Sequence, residues 1–320
     1  MSTINVTTGT AGQGGSTAAE LINELRKPML AVEEFDASTE QYIFEKETLT
    51  NAKTIQWNRL ERMGVGTTVP QLTEGVAPKP EPVTINSVTA TMEEYGRAVW
   101  FSSLSVLTAR NPLVQEQLRN FGYNIKETRD KLLYAILDAA TNTFRVSDRA
   151  NDNAIEVGDV LSFEEISEVD AVLDGAGAPK KEDGNYALVV HSQQHSSLRT
   201  DPNWLAASQM AYADDIRKGM VNMLLGVRVH KTNSNAYAYT ASTTGGNSSR
   251  IRSAFIAGKG AAKVTDLQAA KLHMQAPGQG NDYTERRYQM AWTMTFKGAI
   301  VNQKFLRRMR ASSADATAVA

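Results

Sequence analysis

The chain has 320 residues, of which 42% are hydrophobic and 22% charged, and this composition is typical of a globular protein with a sizeable core. Its 34 lysines and arginines against 35 acidic residues give a net charge of −1, without the basic excess of a dedicated nucleic-acid-binding protein. The absence of cysteine excludes disulfides, thiol catalysis and sulfur-ligated metal sites, and it fits folding in a reducing cytosol.

The N-terminal region is polar. Residues 1–19 are rich in Thr, Gly and Ser, which predicts a flexible arm. The start of the chain has neither the basic nor the apolar segment of a secretory signal, and no run of about 18 apolar residues follows, so we expect a protein that is soluble and not exported. The stretch AELINELRKPMLAVEEFD then predicts a short amphipathic helix interrupted by Pro28.

Residues 51–105 predict an extended excursion. Ile55 and Trp57 alternate with polar residues at the period of a strand. Residues 63–82 are rich in proline and glycine and have no periodicity, and the chain then returns through VTINSVTATMEEYGRAVWFSS, whose composition favours strands. We therefore expect two long strands with an irregular tip, which need another surface to lie on.

The strongest helix signal follows. Asn111 is a good N-cap and Pro112 suits the first helical position. Apolar residues recur mostly three or four apart over about 30 residues, which predicts a rod of about 45 Å. These residues are Val114, Leu118, Phe121, Ile125, Leu132 and Ile136.

Short helices and strands are predicted to alternate between about residues 150 and 285. Ser162 and Glu165 form a capping-box pattern before a helix. The apolar run 186–190 and the alternation of Val227 and Val229 predict strands, and residues 232–250 predict a polar loop.

The last predicted element is a long strand. One face carries Met290, Trp292, Met294 and Phe296. Gly298 favours a bend or bulge, after which Ile300 and Phe305 continue the sheet. Two basic clusters, Arg286–Arg287 and Arg307–Arg308–Arg310, favour an exposed edge of this sheet, with contact to a neighbouring chain or to packaged nucleic acid as the alternative.

The sequence predicts no catalytic, cofactor-binding or metal-ligating residues, and therefore no enzyme and no cofactor. His191 and His195 have the spacing of a metal-binding helix, but the following glutamate of that motif is replaced by Ser192. We expect His191 to end a strand and Ser192 to cap the next turn. His230 and His273 stand alone, and no phosphate-binding loop or nucleophile elbow is present.

Three segments carry a resemblance to a known family. They are YALVVHSQQHSSLRTDPNW at 186–204, MLLGVRVHKTNSN at 223–235, and RRYQMAWTMTFKGAIVNQKFLRRMR at 286–310. Together with the order of the predicted elements, they resemble the major capsid proteins of tailed bacteriophages, and more narrowly the phage N-four-type coat proteins. The resemblance covers nearly all of the chain after residue 20.

The resemblance implies the α+β Hong Kong 97-like capsid fold. Residues 1–50 would be the N-terminal arm (N-arm) and short helix, 51–105 an extended E-loop, and 106–150 a P-domain with the long spine helix. Residues 151–285 would form the A-domain, and 286–320 the closing P-domain strands and a C-terminal tail. Gly64, Gly66, Gly96 and Gly298 would be candidate hinges.

The implied function is a major capsid protein that assembles into pentamers and hexamers of an icosahedral phage head around double-stranded DNA. It would be made in the host cytoplasm and reside in the virion, with portal protein and separate scaffolding or decoration proteins as partners. The alternatives are an encapsulin-like compartment shell and, least favoured, a metal-dependent hydrolase using His191 and His195. Expected inter-subunit contacts are Val69, Pro70, Leu72, Val76, Pro78, Pro80, Arg286, Arg287, Arg307 and Arg308.

Overall fold

The structure is a computed structural model that describes residues 39–48, 52–63, 69, 71–77, 79–108, 113–156, 158–203, 223–224, 226–234, 240–241, 250–275, 284 and 286–313. The predicted arm, the helix around Pro28, the Asn111–Pro112 cap and most of the loop at 232–250 lie outside this set. Within these ranges, no helix is long and apolar enough to cross a membrane.

The described chain forms five α-helices, thirteen strands and short 3₁₀ turns. The helices are α1 (Thr39–Ile43), α2 (Ser103–Thr108), α3 (Leu113–Asp138), α4 (Phe163–Gly175) and α5 (Ser192–Thr200). The strands are β1 (Phe44–Thr48), β2 (Thr54–Leu60), β3 (Ile85–Thr91), β4 (Glu93–Ser102), β5 (Thr143–Arg145), β6 (Tyr186–His191), β7 (Met223–Leu224), β8 (Val227–Thr232), β9 (Thr240–Ala241), β10 (Arg250–Ala257), β11 (Ala262–Gln275), β12 (Arg287–Ile300) and β13 (Leu306–Ser312).

These strands form three sheets. The first has four strands in the order β1-β11-β12-β4, and the second has seven, in the order β5-β13-β10-β6-β8-β7 with β9 beside β10. The third is the isolated antiparallel pair β2-β3. This mixture of helices and strands is the predicted α+β class.

Helix α3 packs on one face of the four-stranded sheet. The predicted inward face of β12 is confirmed, since Met290, Trp292, Met294 and Phe296 are at most 2% exposed. The predicted apolar stripe of α3 contacts this core, but most of its members are only partly buried. The deepest helical residues are Phe121, Leu133 and Leu137. At 26 residues the helix is about 39 Å long, slightly shorter than predicted.

The seven-stranded sheet encloses a second core, against which α4 packs through Ile166, Val169 and Leu173. Ser162 caps α4 as predicted, accepting a hydrogen bond from the Glu165 amide at 3.4 Å. The reciprocal half of the capping box is wrong, because the Glu165 carboxylate instead accepts from the Ser147 amide at 2.9 Å. The glutamate thereby links the helix to the turn after β5.

Sheet membership divides the chain differently from the predicted domain ranges at β4, β5, β11 and β13. β4, in the predicted E-loop range, pairs with β12, and β5, in the predicted P-domain range, pairs with β13. β11, within the predicted A-domain range, pairs with β12 in the sheet below α3. β13, expected as a closing strand of the P-domain, lies between β5 and β10 in the seven-stranded sheet. The chain crosses over in a 3₁₀ turn at Gln303–Phe305, where Asn302 accepts from the Lys304 amide at 3.1 Å, so Phe305 lies between two strands and does not continue β12.

Two strand glycines are explained by close packing. Gly298 keeps regular pairing with Val264, so the expected bend or bulge is absent at this position. A Cβ there would lie 2.7 Å from Cδ2 of Leu133, which shows how closely α3 approaches the sheet. A Cβ on Gly96 would lie 2.7 Å from the carbonyl oxygen of Trp292.

This packing predicts opposite effects for two glycine-to-alanine substitutions. Gly96→Ala should lower the free energy of unfolding by about 2 kcal/mol, because the obstructing atom is backbone and must be displaced. Gly122→Ala, on the exposed side of α3 with no atom within 4 Å, should raise it by about 0.5–1 kcal/mol through helix propensity. Urea denaturation of the unassembled subunit measures both, and equal effects would contradict the close approach at Gly96.

Candidate functional site

The first candidate inter-subunit surface is the hairpin formed by β2 and β3. The two strands pair from Thr54–Thr91 to Leu60–Ile85, which confirms a two-stranded excursion. The predicted extent to residue 105 is wrong, because the chain after Thr91 continues as β4 and pairs with β12 in the four-stranded sheet. Its base is anchored by Trp57, which is 5% exposed and donates from its indole nitrogen to Glu47 Oε2 at 2.9 Å. Beyond this base, most side chains of both strands are exposed.

The tip of the hairpin presents apolar side chains to solvent. Val69, Leu72 and Val76 are 58%, 66% and 64% exposed, and Pro80 is also exposed. Pro70 and Pro78 lie outside the described residues. The same surface includes Leu60, Met63, Val83 and Ile85, each about 60% exposed or more. A concentration of exposed apolar side chains on one projecting element indicates a surface that another chain covers.

A second apolar surface lies at the far end of the four-stranded sheet. Arg286 and Arg287 are exposed there, and the Arg287 guanidinium lies 5.4 Å from the ring centre of Trp100, which is 54% exposed. The next helix, α2, exposes Leu104 and Leu107 by 69% and 82%. These three residues are not among the predicted contacts, although they lie in the apolar run AVWFSSLSVLTA, which is the signal that could have indicated this surface.

The other basic cluster is internal, so the expected exposed edge is wrong for Arg308 and Arg310. The Arg310 side chain is 7% exposed and binds Asp152 Oδ2 at 2.6 Å and Ser253 Oγ at 2.9 Å. Arg308, whose side chain is 14% exposed, donates to the backbone carbonyl of Asp138 at the end of α3. The physical reason is that β13 is an inner strand with acidic partners on both sides.

These ion pairs form a ladder of alternating charge. Asp152 also accepts from Arg145 Nε at 2.7 Å, and Asp138 lies between Arg308 and Arg310 at 3.4 and 3.7 Å. Burial raises the pKa of Asp152, but the two arginines outweigh burial and hold that pKa below its usual value. The ladder joins the end of α3 to the seven-stranded sheet. Arg307 is half-buried on the same strand.

Three of the histidines, His191, His195 and His230, are partly or fully buried within the fold. His191 ends β6 as predicted, but it also caps α5 itself, with Nδ1 accepting from the Gln193 amide at 3.2 Å, so the cap assigned to Ser192 is wrong. His195 is 6% exposed, and His230 stacks on Tyr42 with ring centres 3.4 Å apart. Among the described side chains, no group of three or more His, Asp or Glu could hold a metal ion.

Mild acid should destabilise the subunit through two partly buried histidines. Burial, together with Arg252 and Arg228 respectively, lowers the pKa of His191 and His230 from 6.5 to about 4. Because the unfolded chain takes up these protons more readily, the free energy of unfolding should fall as the pH drops from 6.5 towards 4. Urea midpoints at pH 7 and pH 5 test this. His230→Phe keeps a ring against Tyr42 and should show a smaller difference, whereas an unchanged difference would contradict the assignment to His230.

Comparison with known proteins identifies the family. The sequence model of the phage capsid protein family matches residues 85–278, which is more than half of the chain. The chain belongs to the phage capsid protein family. The comparison with curated proteins gave no match.

Solved phage capsids share the fold of this capsid protein. The capsid of cyanophage Pam1 superposes with a TM-score of 0.73 at 11% identity, covering 98% of this chain and 100% of that one. The capsid of Ralstonia phage GP4 gives 0.68 at 16% identity, with 98% and 100% covered. The capsid of cyanophage P-SCSP1u gives 0.67 at 13% identity, with 95% and 100% covered. The Hong Kong 97-like fold is thereby confirmed.

The function of the chain is that of a major capsid protein, a structural component of the virion whose copies assemble into a shell. The comparisons favour neither the compartment shell nor the hydrolase. Membership of the narrower N-four-type group stays a prediction. The functional site of this capsid protein is therefore the surface that one copy offers to another.

Proposed function

We propose that this capsid protein forms the pentamers and hexamers of an icosahedral head around double-stranded DNA, and that its hairpin lies across the next subunit. The observation that carries the proposal is the apolar tip at Val69, Leu72 and Val76, which is more than half exposed while the base of the hairpin is anchored. Full burial of each such side chain contributes about 1.5–3 kcal/mol. A few of them per contact are enough to hold neighbours together.

We infer further contacts from the remaining predicted residues. Pro80 belongs to the same exposed tip, and Pro70 and Pro78 lie between residues of the tip in sequence. Arg286 and Arg287 are accessible for acidic groups of a neighbour beside the Trp100 surface. Arg307 is a weaker candidate because it is half-buried, and Arg308 weaker still because its guanidinium is bound to Asp138 in its own subunit.

The predicted domains keep their roles in this proposal. Residues 1–50 would act as the N-terminal arm, the β2–β3 hairpin within 51–105 as the E-loop and α3 as the spine helix of the P-domain. The seven-stranded sheet would supply the A-domain near the symmetry axes, with β5 and β13 assigned to it and β4 and β11 to the P-domain. Portal protein, separate scaffolding or decoration proteins, non-specifically bound DNA and assembly in the host cytoplasm rest on the family resemblance.

Expression of the protein alone tests the proposal. We expect particles of megadalton mass, tens of nanometres wide by negative stain, built from pentamers and hexamers. A stable monomer that also forms no particles when co-expressed with the scaffolding protein would contradict it. Neighbouring genes for portal and terminase would separate a phage head from a cargo compartment.

A further inference from the structure

The segment at residues 39–48, consisting of α1 and β1, contacts both large sheets. β1 pairs in parallel with β11 at the edge of the four-stranded sheet, from Phe44–Ala262 to Thr48–Asp266. α1 packs against α3 and also against β6 and β10 of the seven-stranded sheet. Ile43 and Phe44 are 1% and 4% exposed in the core between them. We call this segment the clasp.

An ion cluster attaches the clasp to the middle of α3. Arg129 of the helix donates two hydrogen bonds to the Glu40 carboxylate, one of them at 2.8 Å, and binds Asp266 Oδ1 of β11 at 2.6 Å. The side chains of Glu40 and Arg129 are 14% and 15% exposed. Lys46 adds a contact to Glu40 at 2.9 Å. A bidentate pair with so little solvent is strongly directional, and neutralising Glu40 leaves the buried Arg129 with Asp266 as its remaining carboxylate.

A second set of contacts attaches the clasp to the seven-stranded sheet. The Tyr42 ring stacks on His230 of β8 with an interplanar angle of 10°. Lys181 Nζ donates to the carbonyl oxygens of Tyr42 and Ile43, the latter at 3.3 Å, and so binds the C-terminal end of α1. Glu45 Oε1 accepts from the Gly260 amide, between β10 and β11, at 2.7 Å.

The helix has another fixed point at its C-terminal end. Arg308 binds the Asp138 carbonyl there, nine residues beyond Arg129 and therefore about 14 Å along the axis. If the clasp opens, α3 keeps its contact at Asp138 and the Arg129–Asp266 pair but loses the Glu40 pair. The clasp also directly follows residues 1–38 in the chain, so a pull on those residues would reach the clasp at Thr39 and Glu40.

We infer that the clasp is a conformational latch: closed, it fixes the spine helix and the four-stranded sheet beneath it against the seven-stranded sheet, and opened, it lets this unit move about the C-terminal end of the helix. A shell that places one sequence in pentamers and hexamers needs such an adjustable joint, so this role rests on the proposed function. Engagement of the arm by another copy would act on the latch through Glu40.

The test is Glu40→Gln in the full chain, which keeps the shape of the side chain but removes its charge. Amide hydrogen exchange of the unassembled subunit should be about tenfold faster at residues 39–48, with β10 and β13 unchanged. Glu127→Gln breaks the more exposed pair with Lys131 on the same helix and should leave exchange at the clasp unchanged. Tyr42→Ala should loosen the clasp from its other side, whereas Tyr42→Phe should not.

Unchanged exchange at residues 39–48 in both Glu40→Gln and Tyr42→Ala would overturn the latch, as would equal acceleration across the whole chain. The assembly readout is separate: the two loosened variants should give a broader distribution of particle diameters than Glu127→Gln. If the unmodified protein forms no particles even when co-expressed with the scaffolding protein, the proposed function fails, while hydrogen exchange still decides whether the latch exists.

Discussion

Deletion of residues 66–82 should leave a folded subunit that forms no closed shell. The hairpin base retains the Trp57–Glu47 bond and the buried residues Ala90 and Met92, so the two large cores are not disturbed. What is lost is the exposed apolar tip, which contributes nothing to the described core but is proposed to contact the neighbour. Circular dichroism measures folding, and negative stain with light scattering measures assembly.

Point variants make this prediction sharper. Leu72→Asp and Val76→Asp each place a charge where the proposal puts a buried contact, and each should reduce the particle yield at least tenfold. Lys79→Asp, an exposed polar change in the same segment, should reduce it far less. Closed particles of normal size from the deletion variant would show that the tip is not an essential contact.

Arg310→Ala should lower the free energy of unfolding by about 3 kcal/mol, because it removes the central member of a buried ion network. The expected loss lies at the lower end of the roughly 3–5 kcal/mol for a broken buried pair, because Asp152 keeps Arg145 and Asp138 keeps Arg308. Denaturant unfolding of the unassembled subunit measures the change. Removal of Arg310 should also separate α3 from the seven-stranded sheet, visible as faster hydrogen exchange at the end of the helix.

Arg287→Ala is the matched control, because Arg287 is an exposed arginine on the preceding strand. Its contact with Trp100 at 5.4 Å should contribute less than about 1 kcal/mol to the stability of the subunit. Equal losses for the two arginines would contradict the ladder. If Arg287 lies at an inter-subunit contact, its substitution should affect assembly more than unfolding.

The elements with local signals were predictable from the sequence. Three features can each be recognised from one continuous stretch of sequence: the apolar period of α3, the alternation on β12 and the proline-rich tip of the hairpin. The apolar tip could also be recognised as an unsupported surface, because two strands alone bury too little to be stable. The order of these elements was enough to suggest the capsid fold.

The arginines of β13 were misread because their partners are distant in the chain. Arg308 and Asp138 are 170 residues apart, and Arg310 and Asp152 are 158 residues apart. A run of arginines resembles a solvated edge unless the inner position of the strand is known, and that position depends on pairing with β5 and β10. The clasp could not be predicted from the sequence for the same reason, since Glu40 contacts Arg129 only in the folded chain.

The exposed hairpin also limits the solubility of the free subunit. The side chains that would join neighbours stand open to solvent before assembly, and a net charge of −1 provides almost no mutual repulsion. The same few apolar residues therefore determine two concentrations: the highest at which the unassembled protein stays in solution, and the lowest at which a shell nucleates. Changes that make the monomer easier to keep in solution should delay nucleation in proportion.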